Sequence, residues 1–177
     1  MEKGEQPVKL NALVIMLLVF NLNSVFAAPI NELEQGQSAL GMTMQGGDKN
    51  QSYFWESKFG PNATIGFQVT DWSNSSSMTD IYAQFEMNPE ADNPLRLIVG
   101  TKTYDSSSRV YLGAAMSSPL SMETKGYASA VFGSGIQDLQ FGANYSLSDS
   151  ALLNLNNRIL RYEGSKKGIG LGVTCKF

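Results

Sequence analysis

The last nine residues of this chain, Ile169-Gly-Leu-Gly-Val-Thr-Cys-Lys-Phe177, alternate without a break. Ile169, Leu171, Val173, Cys175 and Phe177 fall on one side of an extended strand, and Gly170, Gly172, Thr174 and Lys176 on the other. Period-two alternation is the signature of a strand with one apolar face, because successive side chains leave a pleated backbone in opposite directions. The pattern recurs along the chain. Segments 36–45, 52–59, 63–72, 79–87, 95–104, 109–116, 122–132, 138–147, 151–162 and 169–177 read as strands, each bounded by Gly, Pro, Asn, Asp or Ser. In 63–72, Ala63, Ile65, Phe67 and Val69 stand against Thr64, Gly66, Gln68 and Thr70; in 79–87, Ile81, Ala83, Phe85 and Met87 stand against Asp80, Tyr82, Gln84 and Glu86. Segment 122–132 is less regular, and 151–162 is ambiguous because it carries apolar residues in both registers.

The beginning of the chain has a different grammar. Residues 1–9 are polar with two lysines, residues 12–20 are an unbroken apolar run, and Ser24-Val-Phe-Ala-Ala28 follows with small side chains. These are the three regions of a secretory signal peptide, with cleavage expected after Ala27. The apolar run is far short of the roughly 20 residues that a membrane helix needs, which disfavours a retained anchor. No cysteine stands at the cleavage site after it, so lipoprotein processing is excluded. The expected layout is a signal peptide over 1–27 and one exported domain over 28–177.

Alternation alone does not separate a soluble barrel from a membrane barrel, but the charges do. After the signal no window shows helical periodicity, and no apolar run approaches a membrane helix. The apolar register is nearly free of charge, while Glu86, Arg96, Lys102, Arg109, Glu123 and Lys176 sit in the opposite one. A lysine or arginine facing lipid at mid-bilayer costs ~2–4 kcal/mol, so such segregation is what a lipid-facing surface requires. The expected fold is all-β: a single antiparallel up-and-down transmembrane β-barrel of about ten strands, with eight as the alternative. The C-terminal strand resembles the closing strand of bacterial outer-membrane barrels, whose terminal aromatic is read by the barrel-assembly machinery. That resemblance implies an assembly signal at Val173, Cys175 and Phe177, the outer-membrane bilayer as surroundings, and both termini on the periplasmic side. Cys175 is the only cysteine, so no internal disulfide can form, and its expected role is that of a small buried hydrophobe on the apolar face. Tyr53, Trp55 and Trp72 are candidates for the aromatic girdles at the membrane interfaces.

The signal, a mature length of roughly 150 residues, the Phe59-Gly-Pro-Asn62 turn and the Val173-Thr-Cys-Lys-Phe177 end together resemble the YfaZ family of small outer-membrane proteins. The resemblance implies a porin-like barrel and carries over no catalytic residue.

Chemistry is constrained mostly by what the chain lacks. It has no histidine, so the histidine-based hydrolysis and acyl transfer of small outer-membrane enzymes is excluded, as is any Cys/His metal centre. No cofactor is expected. A net charge of −3 without a basic stripe argues against nucleic acid as a partner. The Gly-x-Gly runs precede no helix and do not form a nucleotide site; they are expected to face inward and leave room in a tightly curved barrel. Gln68, Glu86, Arg96, Lys102, Arg109 and Glu123 are the candidate lumen-lining residues, with Asp80 and Glu86 partnering Arg96, Lys102 and Arg109 on adjacent strands. Two functions compete: a narrow porin-like pore for ions or small solutes, and a non-conducting structural or partner-binding barrel. A soluble ligand-binding barrel is a more distant third.

Overall fold

The computed structural model describes residues 30–45, 50–72, 75–162 and 165–177, with the side chains of Trp72, Ser75 and Ser76 excepted. The expected signal peptide, the turn around Asp48, the loop residues 73–74, Gly164 and the girdle role of Trp72 lie outside what is described. Ten strands follow one another: β1 (Ser38–Gln45), β2 (Asn50–Lys58), β3 (Ala63–Trp72), β4 (Ser75–Glu86), β5 (Leu95–Tyr104), β6 (Ser107–Pro119), β7 (Thr124–Gly133), β8 (Ile136–Ser148), β9 (Ala151–Arg161) and β10 (Ser165–Lys176). Each pairs antiparallel with its sequence neighbours, and β1 pairs with β10 to close the barrel. Closure satisfies the backbone donors and acceptors of every strand on both sides, which is what allows strands to sit in hydrocarbon.

The strands alternate as their sequences require. Leu40, Tyr53, Phe67, Ile81, Leu97, Leu112, Phe141 and Val173 stand on the outer surface, each more than a third exposed. Thr43, Ser52, Glu56, Gln68, Asp80, Arg96, Lys102, Asn154 and Arg158 are buried inside. Polar inside and apolar outside is the reverse of a soluble barrel. Among the described residues, outward charges occur only near strand ends, as with Asp71, Arg161 and Lys167.

Several turns are shorter than composition suggests. Ser75–Ser77 belong to β4, Ser107 and Ser108 open β6, and 117–119 continue β6 almost to the turn at 120–123. These serine-rich stretches stay extended because both flanking strands offer them a hydrogen-bonding ladder, and that gain outweighs turn propensity. The β5–β6 hairpin turns on Asp105 and Ser106 alone, with φ of 44° and 67°, the double left-handed geometry of the tightest hairpin turns. The ambiguous strand is also resolved. Leu152 and Leu160 point inward with Asn154, Asn156 and Arg158, while Leu153, Leu155 and Ile159 point outward.

The inward glycines do not leave open space. Tyr82 of β4 lies over its cross-strand partner Gly66, Tyr111 of β6 over Gly100, Tyr127 of β7 over Gly142, and Phe54 of β2 over Gly41. A Cβ on Gly66 would sit 2.2 Å from the Tyr82 ring. Each glycine is thus a recess for one aromatic ring pressed flat against the wall. Gly66→Ala is expected to destabilise the barrel by ~1–3 kcal/mol through overpacking. Urea unfolding of the refolded protein measures this, and an unchanged midpoint would refute the ring-in-recess account.

Candidate functional site: a charged lumen with an inserted segment

The interior is layered along the barrel axis. At the end where β1 begins and β10 finishes, Lys58 binds Glu86 at 2.7 Å and Arg96 binds the same carboxylate at 3.1 Å. One layer deeper, Glu56 accepts hydrogen bonds from the Tyr82 hydroxyl at 2.7 Å and from Gln84 at 3.0 Å. The Tyr127 hydroxyl accepts from Gln140 at 3.1 Å and from Asn154 at 2.8 Å. Deeper still, Lys102 pairs with Asp80 beside it and reaches Asp138 of β8 at 3.4 Å, while Arg158 grips Asp138 with two nitrogens. Tyr111 donates to Asp80 at 2.7 Å, and the Lys102 ammonium lies 4.8 Å from the Tyr111 ring centre. The chain Asp80–Lys102–Asp138–Arg158 therefore runs from the β4–β5 wall across the lumen to the β8–β9 wall. At the opposite mouth Arg109 stacks on Tyr162, which packs edge-on against Tyr104.

The space left at the end where β1 begins is taken by the chain itself. Residues 30–36 precede β1, and 30–33 of them turn into the lumen. Ile30 is buried among Tyr82, Ile98, Tyr111, Tyr127 and Val131. Asn31 donates to Glu56 at 2.7 Å, and Asn144 donates to the Ile30 carbonyl at 2.9 Å. Glu32 accepts from Ser117 at 3.0 Å and pairs with Lys125. Burial pushes the Glu32 carboxyl up, but the Lys125 ammonium and the Ser117 hydroxyl outweigh it and hold the group below the usual carboxylate range. Two small cavities flank the segment, of about 90 Å³ and about 50 Å³.

The expected lumen residues divide. Gln68, Arg96 and Lys102 are buried inside, Glu86 lies inside with little exposure, and Arg109 faces inward at the far mouth. The expected partnerships of Asp80 with Lys102 and Glu86 with Arg96 are present. Glu123 is a correction. It lies in the turn between β6 and β7, exposed, and accepts a hydrogen bond at 2.7 Å from Tyr145 of the outer face. The serines at 117–118 stay in β6, so the turn falls later than they suggest and Glu123 precedes β7. Cys175 is a second correction: it is exposed on the outer surface, because the apolar register of β10 has no protein behind it. Val173 shares that face, and Phe177 pairs its backbone with Ser38 while its ring stands exposed.

Sequence reasoning missed Glu56, Asp138 and Arg158, and the inserted segment. Glu56 and Asp138 are in the inward register of strands that had been recognised, so parity could have found them. Nothing in the alternation points to residues 30–36.

Fold and interior together define a transmembrane β-barrel with a polar, internally bridged lumen. No protein-family model and no curated protein matches the chain. Among solved structures it is similar to the KdgM porin, alone and in complex with disordered oligogalacturonate. In both cases the TM-score is 0.55 at 9% identity, over 80% of this chain and 99% of that one. It is also similar to the N-terminal β-barrel domain of Pseudomonas aeruginosa OprF, with a TM-score of 0.46 and 10% identity over 81% of this chain and 98% of that one. At such identities the likeness is one of fold.

Proposed function

We propose that this protein is an outer-membrane, porin-like barrel of the YfaZ kind, whose narrow path for ions or small solutes is closed by its own N-terminal segment. The observation that carries the reading is the segment itself. Residues 30–33 fill the lumen at one end, held by hydrogen bonds and one partly exposed ion pair, contacts that can be exchanged for water. The outer belt supports a bilayer as surroundings. The exposed Phe177 ring, at the end of a strand paired to its last residue, fits a signal for the barrel-assembly machinery.

The second reading, a non-conducting barrel, is favoured by the charge chain crossing the lumen from Asp80 to Arg158. Planar-bilayer recording separates the two. The full chain should stay silent or nearly so at neutral pH, and a variant lacking residues 30–34 should give discrete openings. Silence from the folded deletion variant would leave the non-conducting reading standing. Acid should act in the same direction as the deletion. Glu32 titrates below its unfolded value, so its contribution to holding the segment is complete above the ordinary carboxylate range and is lost as pH falls through its own lowered pKa.

A further inference from the structure

A third cavity, of about 340 Å³, opens at the end of the barrel where β1 begins, between Glu32 and Leu33 and the 87–94 turn. That volume lies in the range of small-molecule sites, roughly 300–1,000 Å³. Its wall has two characters. Leu33, Pro89 and Pro94 make an apolar side, and Lys58, Arg96 and Lys125 make a cationic one. The lining also holds three carboxylates, Glu86, Glu32 and Asp92, and the four oxygens of Glu86 and Glu32 are all engaged. Donors remain. Arg96 is 2% exposed, and it spends Nε and Nη2 on Glu86. Its Nη1 is buried with no partner among the described residues.

A buried guanidinium nitrogen without an acceptor costs free energy, which a folded protein recovers when an oxygen fills the place. The acceptor that suits an arginine nitrogen best is a carboxylate or phosphate oxygen. From this we infer that the cavity binds a small organic anion: its acidic group is held by Arg96 and Lys58, and its apolar body lies against Leu33 and the two prolines. The inference stands whether or not the lumen conducts.

Titration of the refolded full-length protein in detergent micelles with 4-fluorobenzoate, followed by 19F NMR, tests it. 4-Fluorobenzyl alcohol and empty micelles serve as neutral and background controls. Saturable binding of the acid, absent for the alcohol, is expected. Losing one charge-assisted hydrogen bond in Arg96→Gln should weaken it about tenfold or more. Because Arg96 also binds Glu86, a second variant guards against loss of folding. Ala91→Phe, at an exposed position of the 87–94 turn on the cavity wall, fills the space and touches no charged pair. Saturable binding abolished by Ala91→Phe supports the site. No saturable binding, equal uptake of the alcohol, or binding that survives Ala91→Phe unchanged overturns it.

Discussion

Replacing Asp138 with alanine is expected to cost ~3–5 kcal/mol, the usual consequence of leaving a buried charge without its partner. Asp138 is 5% exposed and is the carboxylate that pairs with Arg158, itself 1% exposed. Lys102 would keep Asp80 after the substitution, but Arg158 would be left buried with a full charge. Its Nη1 already lacks a partner among the described residues. Replacing both Asp138 and Arg158 by leucine and methionine should cost less than removing Asp138 alone, since no orphaned charge remains. Urea unfolding in lipid vesicles compares the three proteins. If the single substitution proves milder than the double one, the pair is not the strongly coupled unit described above.

An arginine at Val99 should destabilise the inserted barrel by ~2–4 kcal/mol, whereas one at Leu97 should cost less, because the penalty falls steeply from the bilayer centre towards its surfaces. Val99 lies near the middle of β5 on the outer face, between Ala83 and Leu112; Leu97 is only two residues from the strand's start. Both point into the apolar belt. Equal and negligible costs at the two positions would mean that this surface does not meet hydrocarbon, and the transmembrane assignment would fail with it.

The architecture was largely legible because a closed barrel writes the same rule into every strand. The span 63–72 was recognised residue for residue as β3, and 95–104 as β5. The faces of Ile81 and Asp80, or of Leu112 and Tyr111, followed from parity. Turn positions were harder. Serine at 75–77, 107–108 and 117–118 reads as a turn former, yet strand pairing across a closed sheet holds it extended. That displacement carried Glu123 to the wrong side of a strand boundary. The lumen was legible as a list of inward residues but not as a space. Whether a glycine such as Gly100 opens a channel or receives a ring depends on which strand lies opposite and in what register. Here the opposite residue is Tyr111. The segment at 30–36 was illegible for a related reason: it obeys no repeat, and its partners Glu56, Ser117, Lys125 and Asn144 come from four different strands.

The pairing of the first strand with the last has a consequence for how this molecule can fail. β1 meets β10 along Ala39 to Gln45, and the bond between Ser38 and Phe177 extends the seam to the final residue. A chain cut short before β10 would leave β1 and β9 each with a row of bare amides and carbonyls facing lipid, at several kcal/mol for every unsatisfied group. No intermediate number of strands relieves this. Insertion is therefore an all-or-nothing event for the whole chain. Truncation products are expected to persist as water-exposed, protease-sensitive polypeptide, never as smaller barrels.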